Sequence, residues 1–360
     1  MAGRKQLPVD ASTAAKEHET HSGGFLDRVS ALKDLFVRAF TDDNRSVEQN
    51  VRSLELFISY FIEERNRMVH RPPQFANRAD FFNDFVGDRT NASPVALIGA
   101  GKMGSALLES WIGLGLQREL IVVVEPRPSK ELIDTSDKYK LRLLPDLRQL
   151  APAVSVLFLA IKPQDADSVL PYLSKFVGNT TLLVSIMAGK SIHVISTKIK
   201  RRAAVVRAMP NIAASIGRGV TAAVANDMVQ QKHRDLAFGL LRATGPVEWI
   251  ENEDLMDAVT AVSGSGPAYV FLLTEMLARA GAAAGLPDQL ASKLARETVA
   301  GSGELLHRSA LDAAALRKSV TSSGGTTAAA LNVLMGAHGL EQLLTEAVAA
   351  ATKRSRELAG

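Results

Sequence analysis

Apolar and polar positions change their rhythm twice along the chain. Residues 26–40 carry Leu26, Val29, Leu32, Phe36 and Phe40 at helical spacing, and residues 46–66 repeat this with Val47, Val51, Leu54, Ile58 and Phe61. Arg71-Pro-Pro ends the second stretch. From Pro94 onward short apolar runs alternate with helical stretches. Strands are predicted at 95–99, 121–125, 155–161, 181–186, 204–208, 220–225 and 246–250, and this alternation predicts an α/β fold with a parallel, doubly wound sheet. After about Glu253 the strand pattern stops. Ala-rich helices are predicted at 267–284, 287–307, 312–320, 326–336 and 339–357, with Gly285-Leu-Pro287 as a stop followed by a start.

Four segments follow from these patterns. Residues 1–23 are polar and read as a disordered tail. Residues 24–93 read as a small helical extension, which holds most of the phenylalanine in the chain. Residues 94–252 form the dinucleotide-binding domain, and 253–360 an all-helical domain whose Ala and Gly content permits close helix packing. The apolar stripes of the extension suit packing on each other or on a neighbouring chain.

Composition narrows the function classes. With 46% hydrophobic and 22% charged residues the chain is globular in type. The formal charge of +4 is small for 360 residues, and no basic run is interleaved with aromatics, so nucleic acid is not an expected partner. Absence of cysteine excludes disulfides, thiolate catalysis and cysteine-ligated zinc. No apolar stretch reaches the ~18 residues of a membrane span, and the first thirty residues lack the pattern of a leader, so the cytoplasm is the expected location. The histidines are scattered without partners at ligand spacing, so no metal is expected.

The segment richest in chemistry is Val95-Ala-Leu-Ile-Gly99-Ala100-Gly101-Lys102-Met103-Gly104, followed about twenty residues on by Ile121-Val-Val-Val-Glu125. A bare G-x-G-x-x-G is weak. Between a strand and a helix it is a dinucleotide fingerprint: Gly99 for the tight turn, Gly101 for backbone approach to a pyrophosphate, Gly104 for helix packing. The helix N-terminus adds free N–H groups and a positive dipole end. Glu125 stands where an acid bonds the ribose 2′-hydroxyl of NAD, while Arg127, Ser129 and Lys130 could hold a 2′-phosphate, so the residues leave NAD and NADP both open.

Further strand ends add to the crevice: Ala160-Ile161-Lys162-Pro163, Ile186-Met187-Ala188-Gly189 and Arg207-Ala-Met-Pro210-Asn211. Finally, Val320-Thr-Ser322-Ser323-Gly324-Gly325-Thr326-Thr327 sets hydroxyls and glycines just before a helix, a pattern suited to a carboxylate.

Together these segments, with Asp257-Ala-Val-Thr-Ala-Val-Ser-Gly-Ser-Gly-Pro-Ala-Tyr269 and Leu316-Arg-x-x-Val320, resemble the pyrroline-5-carboxylate reductases from about Pro94 to the C-terminus. Residues 1–93 lie outside the resemblance. It implies a Rossmann domain, a helical domain that dimerises by interlocking helices, and reduction of the C=N bond of 1-pyrroline-5-carboxylate to L-proline. NADPH is the implied cofactor, with NADH usable, and a homodimer or larger homo-oligomer the implied state. Substrate contacts carry over to Glu253, Ser322, Gly324, Gly325, Thr326 and Thr327, with Thr327 near the ring nitrogen as the catalytic candidate. Cofactor contacts carry over to Ala160–Pro163 and Ile186–Ala188. The chain departs from the family at Ser323, where proline is usual, and at His307-Arg308, where His-Pro is frequent. Another Rossmann imine or hydroxyacid reductase, with Lys293 or Lys318 as acid–base group, and a non-catalytic dinucleotide-binding protein are the competing readings.

Overall fold

The structure, a computed structural model, describes residues 94–359. The polar tail and the Phe-rich helical extension expected before Pro94 lie outside the described residues.

Eight strands form one sheet in the order β3-β2-β1-β4-β5-β6-β7-β8. They are β1 Val95–Ile98, β2 Ile121–Val124, β3 Arg142–Leu144, β4 Val156–Leu159, β5 Leu182–Ser185, β6 Ala204–Met209, β7 Thr221–Ala225 and β8 Val247–Trp249. The four residues of each of β1, β2, β4 and β5 are buried, because helices cover both faces of the sheet. Alternate side chains feed two separate cores. Val95, Leu97, Val123, Phe158 and Val184 point to one, and Ala96, Ile98, Val124, Leu157 and Leu183 to the other. The first core is closed by α1 (Lys102–Gly113), where buried Trp111 meets Phe158 edge-on at 5.1 Å and donates Nε1–H to Leu240 O at 2.8 Å.

Two features depart from the expected sheet. The expected parallel sheet is mixed: β7 runs antiparallel to β6, and β8 is parallel to β7, so the last two strands run opposite to the first six. A turn through the short 3-10 segment Ile212–Ile216, ending at Gly217 with φ +68°, brings the chain back directly instead of through a crossover helix. An additional strand, β3, pairs only with β2 at the sheet edge. Its three residues, Arg-Leu-Leu, contain no β-branched side chain and are too few to show a period.

Beyond Trp249 the described chain is helical. After α2 (Lys130–Tyr139), α3 (Ala166–Val169), α4 (Ile192–Ile199) and α5 (Gln231–Arg242) in the sheet region come α6 (Met256–Val259), a π-helix (Thr260–Gly264), α7 (Gly266–Ala283) and α8 (Asp288–Arg308). The series ends with α9 (Ala313–Ser319), α10 (Thr326–Leu334) and α11 (Leu340–Ala359). The five predicted helices are therefore present, with ends shifted by a residue or two. The Gly285 turn, φ +101°, joins α7 to α8, and small residues bring the two helices close: a Cβ on Gly281 would lie 3.4 Å from that of Ala291. Among α7–α11 the buried side chains are Ala291, Ala295 and Ser355, whereas Phe271 is 66% and Val333 76% exposed. Helices this apolar and this open present a surface for another protein chain. No helix among the described residues is long and apolar enough to cross a membrane.

Candidate active site

The glycine turn is built as its sequence demands. Gly99 has φ +87°, and a Cβ there would come within 2.8 Å of Ala160 O, so only glycine lets β1 pass this close to the end of β4. On Gly104 a Cβ would lie 2.7 Å from Gly99 O, which fixes the packing of α1 on the turn. At Gly101 nothing lies within 4 Å of the position a Cβ would take. That space lies beside the first turn of α1, where no side chain caps the helix, and its N–H groups are free for phosphate. The cradle therefore fits a dinucleotide pyrophosphate. Lys102, Met103 and Gly104 form the first turn of α1, and Lys102 is exposed.

Glu125 follows β2 at the same edge. One carboxylate oxygen accepts from Ala100 N–H at 2.9 Å, the other from Arg127 N–H at 3.1 Å. The acid thus braces the glycine turn. Arg127 and Lys130 remain exposed beside it, and Ser129 caps α2 by accepting from Leu132 N–H at 3.2 Å.

The neighbouring strand ends complete this edge. Ala160 N–H bonds Ile98 O at 2.8 Å, and Ile186 N–H bonds Leu159 O at 3.0 Å, which places Ala160–Pro163 and Ile186–Ala188 side by side. Pro163 starts a 3-10 turn with exposed Lys162 at its cap position, so the backbone leaves the sheet there. Gly189, φ +67°, backs against the end of α11: a Cβ there would lie 3.3 Å from Leu358 O. Ser355, on the same helix, donates to Asp257 Oδ1 at 2.6 Å. The C-terminal helix therefore buttresses both the β5 loop and α6, which no local sequence signal announced.

Glu253 lies where sheet and helices meet. Its Oε1 accepts from Arg207 Nη1 at 2.8 Å and from Ile192 N–H at 2.9 Å. Arg207, almost fully buried on β6, holds Glu253 in place; a lone arginine inside the apolar run Ala-Val-Val-Arg-Ala-Met is its signal in the sequence. Tyr269 donates its hydroxyl to Ala261 O at 3.1 Å within the π-helix.

The hydroxyl–glycine loop is separate from this edge. Gly325 N–H bonds Ser322 O at 3.2 Å, and Gly324 has φ +71°, which makes Ser322–Gly325 a tight turn with a left-handed third residue. A Cβ on Gly325 would collide with Ser322 Oγ. Thr326 and Thr327 open α10. Ser322, Ser323, Gly324 and Thr326 are exposed, and among the described residues no hydrogen bond or ion pair joins Ser322–Thr327 to the carboxyl edge of the sheet. Within one chain the structure brings the cofactor candidates together, with Glu253 at their margin, and leaves the carboxylate loop apart.

The second departure, His307-Arg308, closes α8. The helix runs through Arg308, whose Nε donates to Glu304 at 2.6 Å, and Arg218 from the loop after β6 reaches both Glu304 and His307. Arg308, and behind it Arg218, hold the Glu304 carboxyl below its usual range.

Comparison with known proteins agrees with this architecture. A family model described as pyrroline-5-carboxylate reductase dimerisation matches residues 253–358, and one described as NADP oxidoreductase coenzyme F420-dependent matches 94–189. The pyrroline-5-carboxylate reductase of Synechocystis is 42% identical over 266 residues, covering 73% of this chain and 97% of the relative. Among solved structures, the pyrroline-5-carboxylate reductase of Coxiella burnetii superposes with a TM-score of 0.69 at 33% identity, over 74% of this chain and 99% of that one. The Plasmodium falciparum enzyme, solved with NADP bound, gives 0.63 at 28% identity, over 74% and 98%. Identity at this level over nearly the full length of these relatives, on the same order of strands and helices, means that the chain belongs to the pyrroline-5-carboxylate reductase family.

Proposed function

We propose that this chain reduces 1-pyrroline-5-carboxylate to L-proline with NADPH as preferred cofactor, at sites each completed by a second copy of the chain. The observation that carries the reading is the division of the machinery. A dinucleotide cradle lies at the sheet edge, while an exposed carboxylate-type turn lies on helices whose apolar faces are open. Interlocking those helices between two copies buries the apolar faces and can bring one copy's Ser322–Thr327 turn over the other's sheet edge.

The bound nicotinamide supplies hydride from its C4 position. The chain's own residues bind and orient. The Gly324 N–H and those of the first turn of α10 hold the substrate carboxylate, and Ser322 and Thr326 add hydroxyls. Thr327 hydrogen-bonds the ring-nitrogen side. The imine enters already protonated from solution, so the protein needs no strong acid. Positioning two molecules in this way can supply ~7–11 kcal/mol of the barrier. Preference for NADPH follows from Glu125: its oxygens serve Ala100 and Arg127 N–H groups, and exposed Arg127 and Lys130 stand ready for a 2′-phosphate.

The test is oxidation of NADPH, and then NADH, by purified protein with racemic pyrroline-5-carboxylate, beside Thr327→Ala. Turnover that prefers NADPH and collapses in the variant supports the reading. Tight NADPH binding without turnover returns the chain to the non-catalytic class.

A further inference from the structure

Asn211 stands two residues beyond the end of β6 and opens the 3-10 turn Ile212–Ile216. An asparagine in that position ordinarily caps the turn with its side-chain oxygen. This one makes no such bond. Its Nδ2 donates instead across to Ser263 Oγ, 3.4 Å away in the π-helix that follows α6. Its Oδ1 is shut off from solvent and has no hydrogen-bond partner. Turning the amide over changes nothing essential: Oδ1 would then take the Ser263 hydroxyl, and Nδ2 would be the orphan. One half of the amide is spent on Ser263 and the other half is unpaired. Unpaired buried amide groups cost folding free energy and are rare, so one kept at the mouth of a ligand crevice points to a ligand.

Its place in the sheet says which part of a ligand. The glycine turn follows β1, and β4, β5 and β6 come next in order. Strands lie ~4.8 Å apart, so Asn211 is roughly 14 Å across the edge from the glycine turn. A dinucleotide with its pyrophosphate on that turn and its adenosine toward Glu125, just after β2, extends its nicotinamide end over β4 and β5 toward β6. Space here is tight: a Cβ on Gly264 would come 2.7 Å from Met209 Cε, so the π-helix is seated directly on the end of β6.

We propose that Asn211 recognises the carboxamide of the nicotinamide ring, its free amide group pairing with the carboxamide. This rests on the dinucleotide reading above and adds a residue to it. A carboxamide carries both a donor and an acceptor, so it complements whichever half of Asn211 is free. The contact needs a turn about the terminal side-chain torsion, which is broad and soft in asparagine. Holding the carboxamide fixes the rotation of the ring and hence the face it offers to the substrate.

Titration calorimetry on the full chain tests this with three ligands: NADP+, its 3-acetylpyridine analogue, in which a methyl replaces the carboxamide NH2, and 2′,5′-ADP, which lacks the ring. Asn211→Ala should bind NADP+ about tenfold more weakly than wild type, the loss of one hydrogen bond. It should bind 2′,5′-ADP unchanged. With Oδ1 free, wild type should discriminate against the analogue and the variant should bind analogue and NADP+ alike. With the amide turned over, Nδ2 pairs with the carbonyl that the analogue keeps, and the variant should lose equally on NADP+ and the analogue but not on 2′,5′-ADP. Should the alanine variant fail to fold, Asn211→Ser can still pair with Ser263, is too short to reach the ring, and gives the same readout. Unchanged NADP+ affinity, equal loss on all three ligands, or full discrimination retained in the variant overturns the proposal. Failure of wild type to bind any of the three overturns the dinucleotide reading itself.

Discussion

Arg207 Nη1 donates to Glu253 Oε1 at 2.8 Å, and the same oxygen takes the backbone N–H of Ile192, so one carboxylate ties β6, the start of α4 and the first helical turn after the sheet. Arg207 is buried, and removal of its partner strands a positive charge. Glu253→Ala should therefore lower unfolding free energy in urea by on the order of 3 kcal/mol, and Glu253→Gln, which keeps an acceptor, by clearly less. Equal losses in both variants would show that the carboxylate charge, which both remove, carries the whole effect and that a neutral acceptor replaces none of it.

Two glycines of the same turn should respond in opposite ways. Gly99→Ala forces a residue into φ +87° and against Ala160 O, and should cost roughly 1–3 kcal/mol of stability or more. Gly101→Ala meets nothing within 4 Å and should melt like wild type, yet its methyl stands in the phosphate cradle, so dinucleotide affinity should fall on the order of tenfold. Thermal melts with and without NADP+ separate the two effects.

Ser323 occupies the second position of the Ser322–Gly325 turn, where proline fits the backbone angle before a left-handed Gly324. Ser323→Pro should stabilise the chain by about 0.4–1 kcal/mol and sharpen substrate binding, read as a lower KM with kcat little changed.

His233 is buried at the start of α5. Its Nδ1 accepts from Gln230 N–H at 3.3 Å, and its Nε2 has no partner. Burial, with Lys232 beside it as the smaller cause, pushes its pKa down. The native state thus resists a proton that the unfolded chain takes up near pH 6.5, and stability falls as the pH drops below that value. Urea midpoints from pH 7.5 to 5.5 should show this slope, and His233→Gln should flatten it.

A shared site makes a further demand. Gly101→Asp and Thr327→Ala chains, each inactive alone, should regain activity when unfolded and refolded together, because a mixed dimer holds one site with an intact cradle and an intact loop. No recovery, with mixed dimers present, would confine the site to one chain.

Local chemistry wrote much of this protein into its sequence. The β-branched runs, the spacing of Gly99, Gly101 and Gly104, and the Gly285-Leu-Pro287 break are short-range signals, and the strands, turn and helices appear where they put them. The composite Ser-Ser-Gly-Gly-Thr-Thr segment likewise forms a turn at a helix start. Other features depend on contacts between distant residues, and no local pattern encodes them. The antiparallel return of β7 depends on Gly217 closing a short turn, and edge strand β3 exists because β2 offers it partners. Glu125 already accepts from Ala100 and Arg127 N–H, and Glu253 from Arg207 and Ile192, and none of these pairings is visible in the sequence around either acid. Asn211 is conspicuous only once its neighbours are known, because a missing hydrogen bond is a property of three-dimensional surroundings. Sequence alone determined most of the strands and the helices after the sheet; tertiary structure decided the edge strand, the antiparallel return and which polar groups are already paired, because burial and long-range pairing, not residue type, set the partners each group can reach.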